Sequence, residues 1–136
     1  MVTNTAGTTA RELAFQAVHY LRRTVAFDTT GTSTGVSLGW LPSGAQILKN
    51  NIVVKTAFGG SGSTITVGTN SADYDNIHVL TTQDSETTAN YVGTARAVLA
   101  ITQDVEVFIK VVDGTTTAPT AGSAVVVLSF VPDNDQ

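Results

Sequence analysis

An all-β fold, an antiparallel β-sandwich of about eight short strands with a short N-terminal helix, is what the 136 residues predict. Three observations carry that expectation. Apolar residues alternate with a period of two over most of the chain, the repeat of a strand with one buried face. Threonine, a β-branched residue suited to exposed sheet surfaces, occurs 23 times, often in runs such as Thr29-Thr30, Thr81-Thr82 and Thr115-Thr116-Thr117. Clusters of Gly, Pro, Asn, Asp and Ser recur between the alternating runs and punctuate them as turns.

Taken in order, residues 1–8 are small and polar and read as an arm. Thr9-Ala10-Arg11-Glu12 fits a capping box. Leu13, Ala14, Ala17, Val18 and Leu21 follow at helical spacing, so a short helix is expected from about Ala10 to Tyr20, the alternative being one irregular strand from Phe15 to Phe27. This divides the chain into a 1–20 arm with its helix and a 21–136 sandwich. From Leu21 to Phe27 the period is two, and Asp28–Gly35 is a loop or hairpin. Val36, Leu38 and Trp40 alternate with Ser37 and Gly39 in a second strand, with Trp40 expected as a core anchor beside the turn Leu41-Pro42-Ser43-Gly44. The run from Leu41 to Phe58 is the longest extended segment. Leu48, Ile52, Val54 and Phe58 lie on its buried face, with Lys49 and Lys55 on the other, and a bulge is expected at Asn50-Asn51. Its chain neighbours are expected to flank it in the sheet.

Gly59–Gly62 is a turn into a short strand carrying Ile65 and Val67, and Asn70–Asn76 is an Asx-rich loop. Ile77–Leu80 is a weak strand, Gln83–Gly93 a polar loop, and Ala95–Ile101 a further strand. Val105–Val112 and Ala124–Val131 give the strongest β signals, joined by a turn from Asp113 to Pro119. About eight strands at this spacing are compatible with a jelly roll.

Charge and composition narrow the function. The formal net charge is −4, which argues for no nucleic acid and no membrane as partners, since either would call for a basic face. Charged residues make up 13% of the chain, about half the usual share, so the polar surface is largely threonine. There is no cysteine, which excludes disulfides and thiolate metal sites and suits assembly in a reducing cytoplasm. The N-terminal residues do not read as a signal peptide, and no run of 18 apolar residues occurs.

No group of residues reads as catalytic, and no cofactor or metal is expected. Gly31-Thr32-Ser33-Thr34-Gly35 matches the nucleophile-elbow pattern, but that motif needs a strand before it and a helix after it, and both flanks here are β. Gly59–Thr64 has the glycines of a phosphate loop without its lysine or its helix. Asp73-Tyr74-Asp75-Asn76 supplies only part of a calcium shell and reads as an Asx turn. His19 and His78 have no second ligand at helical spacing and read as surface or packing residues.

Three stretches carry a resemblance: LPSGAQI, VVKTAFGGSGSTITVGTNSADYDNI and AGSAVVVLSFVPDNDQ. Together with their spacing over roughly residues 20–136, they resemble the jelly-roll cement (decoration) proteins of tailed bacteriophages, nearest to that of a short-tailed phage infecting Bordetella. The resemblance implies a non-catalytic virion protein, made in the bacterial host cytoplasm. Such a protein sits on the outer capsid surface, binds the major capsid protein and holds capsomers together. A receptor- or glycan-binding sandwich of a fibre or tail is the alternative, with Tyr74 and Tyr91 as its candidate aromatic platform.

A homodimer is also expected. Val105–Val112 carries Phe108 and Val112 opposite its main apolar face, and Ala124–Val131 is apolar on both faces, so a partner subunit is expected to cover part of them. The basic N-terminal residues Arg11, Arg22 and Arg23 are the candidate capsid contacts, with Phe108 and Val112 as candidate subunit contacts.

Overall fold

The computed structural model describes residues 18–59, 62–71, 73–81, 85, 87–93, 100–114 and 117–132. These form eight strands: β1 (His19–Ala26), β2 (Val36–Leu41), β3 (Gln46–Gly59), β4 (Ser63–Gly68), β5 (His78–Leu80), β6 (Asn90–Gly93), β7 (Val105–Asp113) and β8 (Ala121–Val131). They pair antiparallel in two four-stranded sheets, ordered β1-β8-β3-β6 and β2-β7-β4-β5. The chain passes from one sheet to the other at every connection except β4 to β5. That wrapping, with the first and last strands paired in one sheet, is the jelly roll.

The core fills the space between the sheets, and alternation explains who enters it. Ile52, Val54 and Phe58 from β3 meet Val107, Ile109 and Val111 from β7, with Ile65 and Val67 from β4 and Val126 and Leu128 from β8. Gly122 lets β3 and β8 close on each other. A Cβ there would lie 2.6 Å from Phe58 Cα, and its φ of 115° is one that side-chain-bearing residues rarely adopt. At the β1 and β2 edge, Leu21 packs over Gly39, and Arg23 Nη1 donates to the Ser37 carbonyl at 2.7 Å, tying the sheets together. The Leu41–Gly44 turn is held by the segment before β7. Ser43 N donates to Asp104 Oδ1 at 2.9 Å, and Gly44 N to the Ile101 carbonyl at 2.7 Å.

Several expectations change. The neighbours of β3 are β8 and β6, not the strands before and after it in sequence. Its irregularities fall between Ile47 and Lys49 and on either side of Thr56, while Asn50 and Asn51 sit in regular ladder. The first of these shifts leaves Leu48 exposed although it shares the even positions of the buried residues. Trp40 is not a core anchor but 59% exposed, because the register shift between Ser37 and Gly39 turns it outward while Leu38 stays in the core. β6 lies within the stretch expected to be all loop.

The Gly31–Gly35 and Gly59–Gly62 segments join strands of different sheets, so neither closes a hairpin. His19 and Tyr20, expected to end the helix, begin β1 instead. Residues 10–17 of that helix, Arg11 included, lie outside the described residues, as does most of the Ala95–Ile101 strand, and Val18 is exposed ahead of β1. Ala100 and Ile101 are not in a strand.

Candidate assembly surfaces

The two outer faces of the sandwich differ in what covers them. On the β2-β7-β4-β5 sheet the even residues of β7 point outward, and Phe108 stands between Ser37 of β2 and Gly68 of β4. The β4–β5 connection folds back over it. Tyr74 stacks on Phe108 with ring centroids 4.7 Å apart. Two glycines make room: a Cβ at Gly35 would lie 2.8 Å from the Tyr74 ring, and one at Gly68 would lie 2.3 Å from Asn76 Oδ1.

Asn70 and Asn76 hold this roof through their side-chain amides. Asn70 Oδ1 accepts from Asp75 N at 2.9 Å, Asn70 Nδ2 donates to Asp75 Oδ1 at 2.8 Å, and Asn76 Oδ1 accepts from Thr69 N at 2.8 Å. Thr66 Oγ1 donates to the Asp73 carbonyl at 2.9 Å. The Asx residues are thus spent on the loop itself. Tyr74 has a φ of 48°, an uncommon conformation for a tyrosine, held by these bonds and by the ring contact.

The β1-β8-β3-β6 sheet presents another surface. Leu21 and Val25 of β1 face the core, so Tyr20, Arg22 and Thr24 face outward. One ladder row reads Tyr20, Ser129, Lys49 across β1, β8 and β3, and the next reads Arg22, Val127, Asn51. Tyr20 is 65% exposed; Arg22, Leu48 and Lys49 are also exposed, while Val127 and Val131 between them are half-buried.

Inside, one polar pair joins the sheets. Asn50 is fully buried, and its Nδ2 lies 2.9 Å from His78 Nδ1. A neutral ring with its proton on Nε2 accepts that bond, and burial lowers the His78 pKa below its ordinary 6.5, which favours the neutral form. Asn50 Oδ1 is buried without a partner.

The expected contact residues are therefore scattered. Arg22 is exposed on one outer face, while Arg23 on the same strand is engaged with Ser37. Phe108 lies under Tyr74 on the opposite face, and Val112 is 8% exposed. The chain's own loop and packing cover Phe108 and Val112, whereas Val127 and Val131 of β8 stay half-buried on the other outer face. Tyr74 is committed to Phe108 and Tyr91 packs against the core, so neither forms an open aromatic platform. Among the described residues the exposed Phe, Tyr and Trp side chains are Tyr20, Phe27 and Trp40. Sequence alternation hid Trp40 and Leu48, since only the bulges reveal which way they turn. Among the described residues, no group of three or more His, Asp or Glu side chains could hold a metal ion. Gly31–Gly35 leads into strand β2 and not a helix, and the Thr32 carbonyl accepts from Val111 N at 2.7 Å, a structural role.

No protein-family model and no curated protein matches the sequence. Solved structures do match. A chain of the cyanophage Pam1 capsid asymmetric unit superposes with a TM-score of 0.67 at 21% identity, over 96% of this chain and 98% of that one. A chain of the capsid of Ralstonia phage GP4 gives a TM-score of 0.59 at 16% identity, over 93% and 91%. A chain of the acid-stable capsid of Helicobacter pylori bacteriophage KHP30 gives 0.58 at 19% identity, over 85% and 89%. At these identities the likeness establishes a shared fold that extends over nearly the whole of each chain.

Proposed function

We propose that this chain is a non-catalytic structural protein of a phage virion, a cement or decoration protein that binds the major capsid protein on the outer capsid surface and bridges capsomers. The observation that carries the reading is the end-to-end match of its jelly roll to chains of three phage capsids. The resemblance of residues 20–136 to phage cement proteins, read from the sequence alone, points the same way. The architecture suits the role: the core is closed, the loops are tied by side-chain amides, and extended outer faces are available for contact. Many copies on one shell need only modest affinity each. Electron cryo-microscopy of the parent virion tests the proposal. Density of this jelly roll on the outside of the shell supports it, and density confined to a tail or fibre overturns it in favour of the receptor-binding alternative.

The reading includes the homodimer, relocated from Phe108 and Val112 to the β2 edge. β2 is the outermost strand of its sheet, and it carries the exposed Trp40, a residue type favoured at interface centres. Native mass spectrometry at micromolar concentration should show a dimer that Trp40→Ser converts to monomer. A wild-type monomer under those conditions removes the dimer from the proposal.

A further inference from the structure

Charge is divided between the two sheets. The strands of the β1-β8-β3-β6 sheet carry Arg22, Arg23, Lys49 and Lys55 and no carboxylate. The strands of the β2-β7-β4-β5 sheet carry Glu106 and Asp113 with a single lysine, Lys110, no arginine, and His78. The loops among the described residues add Asp28, Asp73, Asp75 and Asp104 and no further base. Among the described residues, a protein of net charge −4 thus shows one basic side. Arg23 is held at the edge by Ser37, but Arg22, Lys49 and Lys55 are exposed and have no carboxylate partner among the described residues.

The shape of that side is specific. Long side chains stand on β1 (Tyr20, Arg22) and on β3 (Lys49), with short ones on β8 between them (Val127, Ser129). Strands in a sheet are about 4.8 Å apart, so the two walls stand about 10 Å apart, the width of one extended chain with its side chains. The trough has a floor of Val127 and Ser129, an aromatic wall and a cation on each side.

We infer that this trough along β8 is the face that grips the shell, and that its occupant is an extended, acidic and partly apolar segment of the shell protein. Carboxylates of that segment pair with Arg22 and Lys49, and its apolar side chains lie against Tyr20 and Val127. The inference rests on the decoration reading, and charge complementarity selects the occupant. The acidic opposite sheet would repel such a segment, so the sandwich binds with one side only, and approach is steered by the long-range field. Guanidinium–carboxylate pairing at Arg22 supplies direction as well as attraction.

The test uses full-length protein and shells assembled without it. The variant R22Q/K49Q removes two positive charges from the trough. The control S71E/T120E changes the net charge by the same amount at exposed positions away from it. Both should retain the wild-type circular dichroism and melting temperature. The inference expects R22Q/K49Q to need at least 30-fold more protein for half occupancy, the control to stay within about threefold of wild type, and wild-type binding to weaken as salt rises from 50 to 300 mM. If wild type binds shells and R22Q/K49Q binds equally well, the trough is not the contact, although the decoration reading stands. If wild type does not bind shells at all, the decoration reading itself fails. Retention of double-stranded DNA in preference to shells, lost in R22Q/K49Q, would overturn the inference and make the trough a nucleic-acid site.

Discussion

The two sheets share one core but treat their outer faces in opposite ways. Over β2-β7-β4-β5, the chain roofs its own apolar residue: Tyr74 covers Phe108, held by Asn70, Asn76 and Thr66. Over β1-β8-β3-β6, the exposed Tyr20, Arg22 and Lys49 stand around half-buried valines. An apolar residue roofed by its own chain, as Phe108 is, gains nothing from a partner, whereas exposed aromatics such as Tyr20 and, at the β2 edge, Trp40, and cations with no carboxylate partner among the described residues, do. Apolar patterning therefore does not by itself mark an interface, and its relation to nearby loops decides.

The core that both faces share gives the sharpest contrast. Val54 is 1% exposed, and Lys55 beside it is exposed. Val54→Asp places a charge among apolar side chains with no partner. It should cost 4 kcal/mol or more (roughly) and leave the protein unfolded by circular dichroism. Lys55→Asp should change stability by about 0.5 kcal/mol or less in a urea titration. Equal melting of the two variants would contradict the register described here.

The roof is the next largest effect. Tyr74→Ala removes the ring over Phe108 and should destabilise the fold by about 2 kcal/mol. Hydrogen exchange should quicken in residues 69–77 while β1, β3 and β8 keep their protection. Exchange that quickens equally in both sheets would show that the roof and the open face are not independent.

A smaller effect follows from the polar pair between the sheets. Folding lowers the His78 pKa below 6.5, so the unfolded chain binds more protons than the folded one as pH falls through that region. The contribution of His78 is complete above the unfolded pKa and is lost as pH drops through the folded one. Melting temperature should therefore decline on acidification from pH 7.5 toward pH 5, and His78→Gln should flatten that part of the curve. A wild-type profile that rises on acidification would contradict the buried neutral ring.

The least effect on the body is expected from removing residues 1–17. The ladder begins with His19 opposite Phe130, so the truncated chain should keep its β circular dichroism and melt within a few degrees of the full chain. If the arm is an attachment element, as its Arg11 suggests, the truncation weakens shell binding without that loss of fold. Aggregation of the truncated protein would instead assign the segment to the body.

The alternating runs around Val54, Val107, Ile109 and Val126 were legible in the sequence because strand period and burial are local properties of a chain with one buried face. So were the turn at Leu41–Gly44 and the Asx loop at Asn70–Asn76. Pairing was not legible. β3 binds β8 and β6 across long stretches of chain, and period-two alternation looks the same whichever strand lies alongside. Bulges were not legible either: separate register shifts, one on β2 and one on β3, turned Trp40 and Leu48 outward against the local pattern. The candidate site shows the same division. Arg22 could be singled out from sequence as a basic residue in an acidic chain, but its alignment with Tyr20 and Lys49 across β8 exists only because three distant segments pair in one register. Backbone geometry dictates which residues share a face, and long-range pairing decides which faces become one surface.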